Sequence, residues 1–139
     1  MIRPARMKDV KEITRLCLQL GNQVSSDQVE ERLEKINKDC DSIIFLYEID
    51  ESICGWVHVF GKCIIQMEFA EIGGLVVDTQ HRGKGIGKML MGKAEEWAME
   101  KGYPEVRLRS GGHRKEAHDF YKSIGYENVK WQEVFSRKL

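Results

Sequence analysis

Between Lys8 and Leu20, apolar residues return at helical spacing: Val10, Ile13, Leu16, Cys17 and Leu20 share one stripe. Gly21-Asn22 ends that pattern, and the spacing of Ser25 and Gln28 fits a capping box for a second helix. In that helix Val29, Leu33 and Ile36 point inward, while Glu30, Glu31, Arg32, Glu34 and Lys35 lie mostly outward. The pattern then shifts to strand-like runs. Ile2 to Ala5 reads as an opening strand, and Ile43 to Ile49 and Ser52 to Phe60 as a hairpin turned at Asp50-Glu51. Gly61-Lys62 breaks the run, and a further strand ends in FAEIGGLVV, Phe69 to Val77. Glycine weakens a strand, so Gly73-Gly74 predicts a bulge or a close backbone approach by another group.

Helical periodicity resumes from Ile86 to Lys101, with Ile86, Met89, Leu90, Ala94, Trp97 and Ala98 inward and Gly102 as C-cap. Glu105 to Ser110 predicts a strand, and Arg114 to Ser123 a helix with Ala117, Phe120, Tyr121 and Ile124 on one face. Tyr126 to Lys138 predicts two final strands. The order β-α-α-β-β-β-α-β-α-β-β is that of one mixed α/β domain over residues 1–139, with a sheet of six to seven strands and about four helices.

The charge balance narrows the partners. Lys+Arg and Asp+Glu number 22 each, so bulk attraction to nucleic acid or to a membrane surface is not expected. No apolar run suggests a transmembrane span, and MIRPARMKDVKEI has no signal-peptide core, so a cytoplasmic location is expected. Cys17, Cys40, Cys54 and Cys63 form neither a C-x-x-C pair nor a disulfide-scaffold spacing and read as reduced thiols. His58, His81, His113 and His118 lack the grouping of metal ligands, and no metal is expected.

Positive charge is instead concentrated locally, in QHRGKGIGKML, Gln80 to Leu90. A strand, a glycine-rich turn and a helix make a phosphate cradle, because the first helical N–H groups lack partners and the dipole favours an anion. No Ser or Thr follows a Gly-Lys pair, so a P-loop would lack its magnesium ligand. The Gly83, Gly85, Gly87 spacing does not give a dinucleotide G-x-G-x-x-G, and no second dinucleotide half follows. Arg82, Gly85 and Gly87 meet a third pattern, R-x-x-G-x-G.

That pattern resembles the pyrophosphate loop of the acetyl-CoA-dependent GNAT N-acetyltransferases. The resemblance covers nearly the whole chain. IRPARMKDV is similar to the family's opening strand and first helix, and Ala117, Phe120, Tyr121, Gly125 and Tyr126 match its block A-x-x-F-Y-x-x-x-G-[FY]. The small bacterial members that acetylate aminoglycosides and aminoalkylphosphonates are the nearest in flavour. The resemblance implies a GNAT fold whose mostly antiparallel sheet splays between its fourth and fifth strands, with pantetheine in the gap. It implies that Leu75, Val76 and Val77 face pantetheine, and that Arg82, Gly83, Lys84, Gly85, Ile86, Gly87 and Lys88 hold the pyrophosphate. Ser110 and Phe120 complete the implied cofactor contacts, and dimerisation through the last strands is plausible for the family.

Acetyl transfer needs a neutral amine, donors for the oxyanion and a proton for the departing thiolate. The resemblance places Tyr121 as the acid, although its helical spacing also fits a core aromatic. Glu71, eleven residues before Arg82, stands where histone-acetylating members carry a glutamate base. It could equally bind a cationic substrate or sit on the rim, and Glu68 is the neighbouring alternative. The function expected is transfer of acetyl from acetyl-CoA to a primary amine of a small molecule by direct attack in a ternary complex. A protein or peptide acceptor, or a non-catalytic acyl-CoA-binding protein, are the alternatives.

Overall fold

The computed structural model describes residues 1–139, which divide into two compact units, Met1–Leu108 and Arg109–Leu139. The first begins with β1 (Ile2–Pro4), a 3-10 turn over Met7–Asp9, α1 (Val10–Gln19) and α2 (Ser26–Lys38). The capping box forms as expected: Ser25 Oγ accepts from Gln28 N at 3.2 Å, and Gln28 Oε1 accepts from Ser25 N at 3.1 Å. Then come β2 (Ser42–Ile49), β3 (Ser52–Ile64), β4 (Met67–Val77), α3 (Ile86–Lys101) and β5 (Val106–Leu108). Asp50 and Glu51 both take positive φ, 47° and 67°, the twist that a tight two-residue hairpin requires.

The strands lie in the order β1-β2-β3-β4-β5, antiparallel except for the parallel β4–β5 pair. Directly opposed residues share a face, so the register sorts the side chains. Leu46, Trp56 and Val76 fall on one face and pack with Ile13, Leu16, Val29 and Leu33 of α1 and α2. On the other face α3 lies against Gly55, where an added Cβ would stand 3.4 Å from Ile86 and 3.1 Å from Leu90.

Two expectations about strands fail in instructive ways. Gly61-Lys62 does not break a strand: β3 runs on to Ile64, with Gly61 opposite Ala70 and Lys62 opposite Phe69. Gly61 is needed for space rather than for a turn, because the Tyr103 ring and the Asp41 carboxylate occupy the position a side chain would take. Tyr103 donates a short hydrogen bond to Asp41 there, which pushes the phenol up to about 12. Met89, expected inward on α3, is 43% exposed.

The second unit contains α4 (Lys115–Ser123) and no strand. The two strands expected between Tyr126 and Lys138 do not form, so the sheet has five strands rather than six or seven. The apolar residues that suggested them, Val129, Trp131, Val134 and Phe135, are all exposed. Alternation supplies a strand pattern, but a strand needs a ladder partner as well. Ala117, Phe120, Tyr121 and Ile124 of the α4 segment are half-buried, and Gly125 follows with φ 102°.

Candidate active site

Pairing between β4 and β5 covers only Ala70–Ile72 against Val106–Leu108. From Gly74 to Val77, β4 pairs with β3 on one side, and beyond Ile72 no strand pairs with its other side. Leu75, Val76 and Val77 therefore present an open backbone edge, the geometry that an extended amide-bearing chain can pair with. This edge leads directly into the glycine turn. Gly83 and Gly85 take left-handed φ values of 79° and 80°, and nothing lies within 4 Å of an added Cβ at either position. The first backbone bond of α3 runs from Met89 N to Gly85 O, and no side chain caps the helix. The N–H groups of Ile86, Gly87 and Lys88 thus have no intrahelical acceptor, the arrangement that suits an anion. Arg82 folds back on the strand, its Nε 3.4 Å from Val77 O, and Lys84 and Lys88 are exposed beside the turn.

The turn is anchored by Asp78, which is buried at the junction of β4 and the loop. Its carboxylate accepts from Gln80 N, from Arg15 Nη1 at 3.1 Å and from Gln19 Nε2. The bond from Gln80 leads, outweighing burial, and together with Arg15 and Gln19 it holds this carboxyl below the usual carboxylate range. Arg15 also donates to Ile53 O at 3.1 Å, so α1, β3 and the turn are tied at one point.

The expected bulge is present. The β3–β4 register shifts between His58, opposite Gly74, and Val59, opposite Ile72, which leaves Gly73 as the extra residue. Side chains are excluded at both glycines. A Cβ on Gly73 would lie 2.7 Å from His58 Nδ1, and one on Gly74 would lie 2.8 Å from the Trp56 ring. Glu71 is opposite Phe60, on the same face as Trp56 and His58, and pairs with Lys62 at 3.7 Å. His58 is half-buried, with Nε2 2.8 Å from Ser42 Oγ, and burial lowers its pKa.

In the second unit, the Tyr121 ring meets Phe120 and Tyr126 edge-on, with centroids 5.3 and 6.2 Å away. Burial pushes its phenol pKa up, opposed by the Arg114 charge, so the hydroxyl keeps its proton well past neutrality. Ser110 Oγ is buried without a hydrogen-bond partner.

The family model "Acetyltransferase (GNAT) family" matches residues 7–126. The chain belongs to the GNAT acetyltransferases. An uncharacterized N-acetyltransferase of Bacillus subtilis is 34% identical over 106 residues, covering 74% of this chain and 73% of that protein. Thialysine N-epsilon-acetyltransferase of Bos taurus is 27% identical, covering 93% and 85%. The fold matches the aminoglycoside antibiotic 6'-N-acetyltransferase AAC(6')-IG from Acinetobacter haemolyticus with a TM-score of 0.85 at 19% identity, over 100% of this chain and 99% of that one. The chain spans 31% to 51% of the length of several other curated relatives.

GNAT chemistry is acyl transfer from acetyl-CoA, and the open edge and the glycine cradle of this chain fit such a donor. The first unit brings together Leu75, Val76, Val77 and the residues Arg82 to Lys88 in one continuous stretch, with Glu71 lower on the same strand. Two residues of this GNAT chain escaped the sequence reading. Asp78 belongs to no sequence motif, and His58 sits in an alternating strand that forms none. The one available signal for His58 was the pair of glycines that its ring and Trp56 demand. No helix is long and apolar enough to cross a membrane.

Proposed function

We propose that residues 1–139 form one catalytic domain that moves an acetyl group from acetyl-CoA to a primary amine of a small molecule. The observation that carries this reading is the continuity of the unpaired β4 edge with the uncapped, doubly left-handed turn at the start of α3. Leu75, Val76 and Val77 pair with the pantetheine amides, and the N–H groups of the turn take the pyrophosphate, aided by Arg82, Lys84 and Lys88. Ser110 and Phe120 add contacts to the donor, the buried free hydroxyl of Ser110 being suited to one.

The amine nitrogen attacks the thioester carbonyl directly, in a ternary complex. Glu71 accepts the proton that the nitrogen sheds, and Tyr121 gives its phenolic proton to the sulfur as the carbon–sulfur bond breaks. The products are an N-acetylated amine and the free thiol of CoA. Burial of Tyr121 supports the donor role, because it keeps the phenol protonated at working pH. The relatives that act on thialysine and on aminoglycosides support a small-amine acceptor.

The test is thiol release from acetyl-CoA across a panel of primary amines, paired with thermal shift against CoA, NAD and ATP. Stabilisation by CoA with amine-dependent thiol release is expected; a ligand at a hundred times its Kd adds about 2.7 kcal/mol. Stabilisation by NAD or ATP but not by CoA overturns the reading.

A further inference from the structure

A cavity of about 130 Å³ opens between α1, α2 and the sheet. Its walls are almost wholly apolar, from Cys17, Val24, Val29, Ile36 and Trp56 among others. Two of the lining side chains are basic. Arg32 on α2 is exposed and engages no carboxylate, and His58 on β3 is held neutral by burial. Trp56, 9% exposed, also lines the cavity, and its buried indole N–H has no acceptor.

His58 connects this cavity to the proposed chemistry. Its ring closes one wall and lies over the Gly73 bulge, where the open β4 edge begins. Trp56, His58 and Glu71 occupy the same face of the sheet. The cavity, with Arg32 in its wall, thus lies on the face of the sheet that carries His58 and Glu71.

We propose that this cavity is the acceptor pocket and that it selects primary amines with a compact apolar body ending in a carboxylate. This rests on the acetyltransferase reading above. A cavity of 150 Å³ elsewhere accommodates benzene, so about five or six carbons fit here. The far carboxylate pairs with Arg32, and its second oxygen can meet the unanswered indole N–H. Polyhydroxylated, polycationic aminoglycosides are rejected, since apolar walls leave their hydroxyls unpaired and Arg32 repels their charge.

Thiol-release kinetics with 6-aminohexanoic acid, hexylamine and kanamycin test this, alongside thermal shift with acetyl-CoA. 6-Aminohexanoic acid is expected to give the highest kcat/KM and kanamycin the lowest. Arg32→Gln should raise KM for 6-aminohexanoic acid about tenfold, as for loss of one charged hydrogen bond, and leave hexylamine unchanged. Val24→Trp should raise KM for both while leaving the shift with acetyl-CoA intact, which shows that it still folds. A preference for kanamycin, or an Arg32→Gln substitution that changes KM for the two linear amines by the same factor, overturns the pocket while acetyl transfer stands. No shift with acetyl-CoA and no thiol release with any amine overturns the underlying reading itself, and the pocket with it.

Discussion

Arg15 of α1 reaches across to Asp78, with Nη1 3.1 Å from Oδ2, and so fixes the start of the glycine turn to the opposite layer of the fold. Replacing Asp78 by Ala removes three hydrogen bonds at once and frees Gln80 N. The loss should be about 1–3 kcal/mol, read from urea midpoints, with Asp78→Asn retaining part of it. CoA affinity by calorimetry should fall as well. An Asp78→Ala protein of unchanged stability and affinity would show the anchor to be idle.

The two left-handed glycines call for a different outcome. Nothing crowds Gly85, so Gly85→Ala meets no collision and suffers only from its φ of 80°. A penalty of about 1–2 kcal/mol is expected in the αL region. Because this strain reshapes the cradle, the dissociation constant for CoA should rise several-fold, and binding of CoA and of desulfo-CoA should weaken equally.

Tyr121→Phe keeps the ring and removes only the hydroxyl. If the phenol protonates sulfur, kcat should fall by about 10²–10⁴, the usual range for a positioned acid, with little change in KM for acetyl-CoA. Burial raises the phenol above its ordinary value near 10, so the acid form should persist through the neutral range and activity should not decline there on its account. A thiol-release rate within twofold of the parent rules the role out.

Glu71 pairs with Lys62 at 3.7 Å, so its variants need a matched partner. As a base, Glu71→Gln should lower kcat with little change in KM. As a substrate-binding group it should raise KM alone. Lys62→Met separates the ion pair from the chemistry, and a kcat loss equal to that of Glu71→Gln would assign the effect to the pair.

His58 makes stability depend on pH in a definite direction. Burial lowers its folded pKa below the unfolded value of about 6.5, so in mildly acidic solution the unfolded chain binds more protons than the folded one. Stability should therefore fall as pH drops below about 6.5, and urea midpoints for His58→Gln should be flatter across that window. Asp9 and Asp78 have lowered carboxyl pKa values, so their contribution is present above about pH 4 and is lost at lower pH.

How far the sequence could be read depended on whether a feature was local. Ser25 and Gln28 cap α2 through their own backbone, Asp50-Glu51 turn on their own dihedrals, and Gly102 ends α3 at φ 88°. Each was legible because its partners are a few residues away. Gly61 was misread because its reason, the Tyr103 ring, comes from a distant part of the chain. Val129, Trp131 and Val134 looked like strand residues, but no ladder takes them up. The turn at Gly83 and Gly85 was legible because its left-handed φ values are local, whereas the cavity assembled from α1, α2, β2 and β3 has no contiguous signature.

The five-residue edge from Gly73 to Val77 has one more consequence, for the protein at rest. An unpaired strand edge is a template for any extended chain, including the same edge of another molecule. A donor lying along β4 occupies that template. The acetyl carrier would then act as a guard against self-association as well as a reagent, and solutions depleted of CoA should be the ones that cloud on storage.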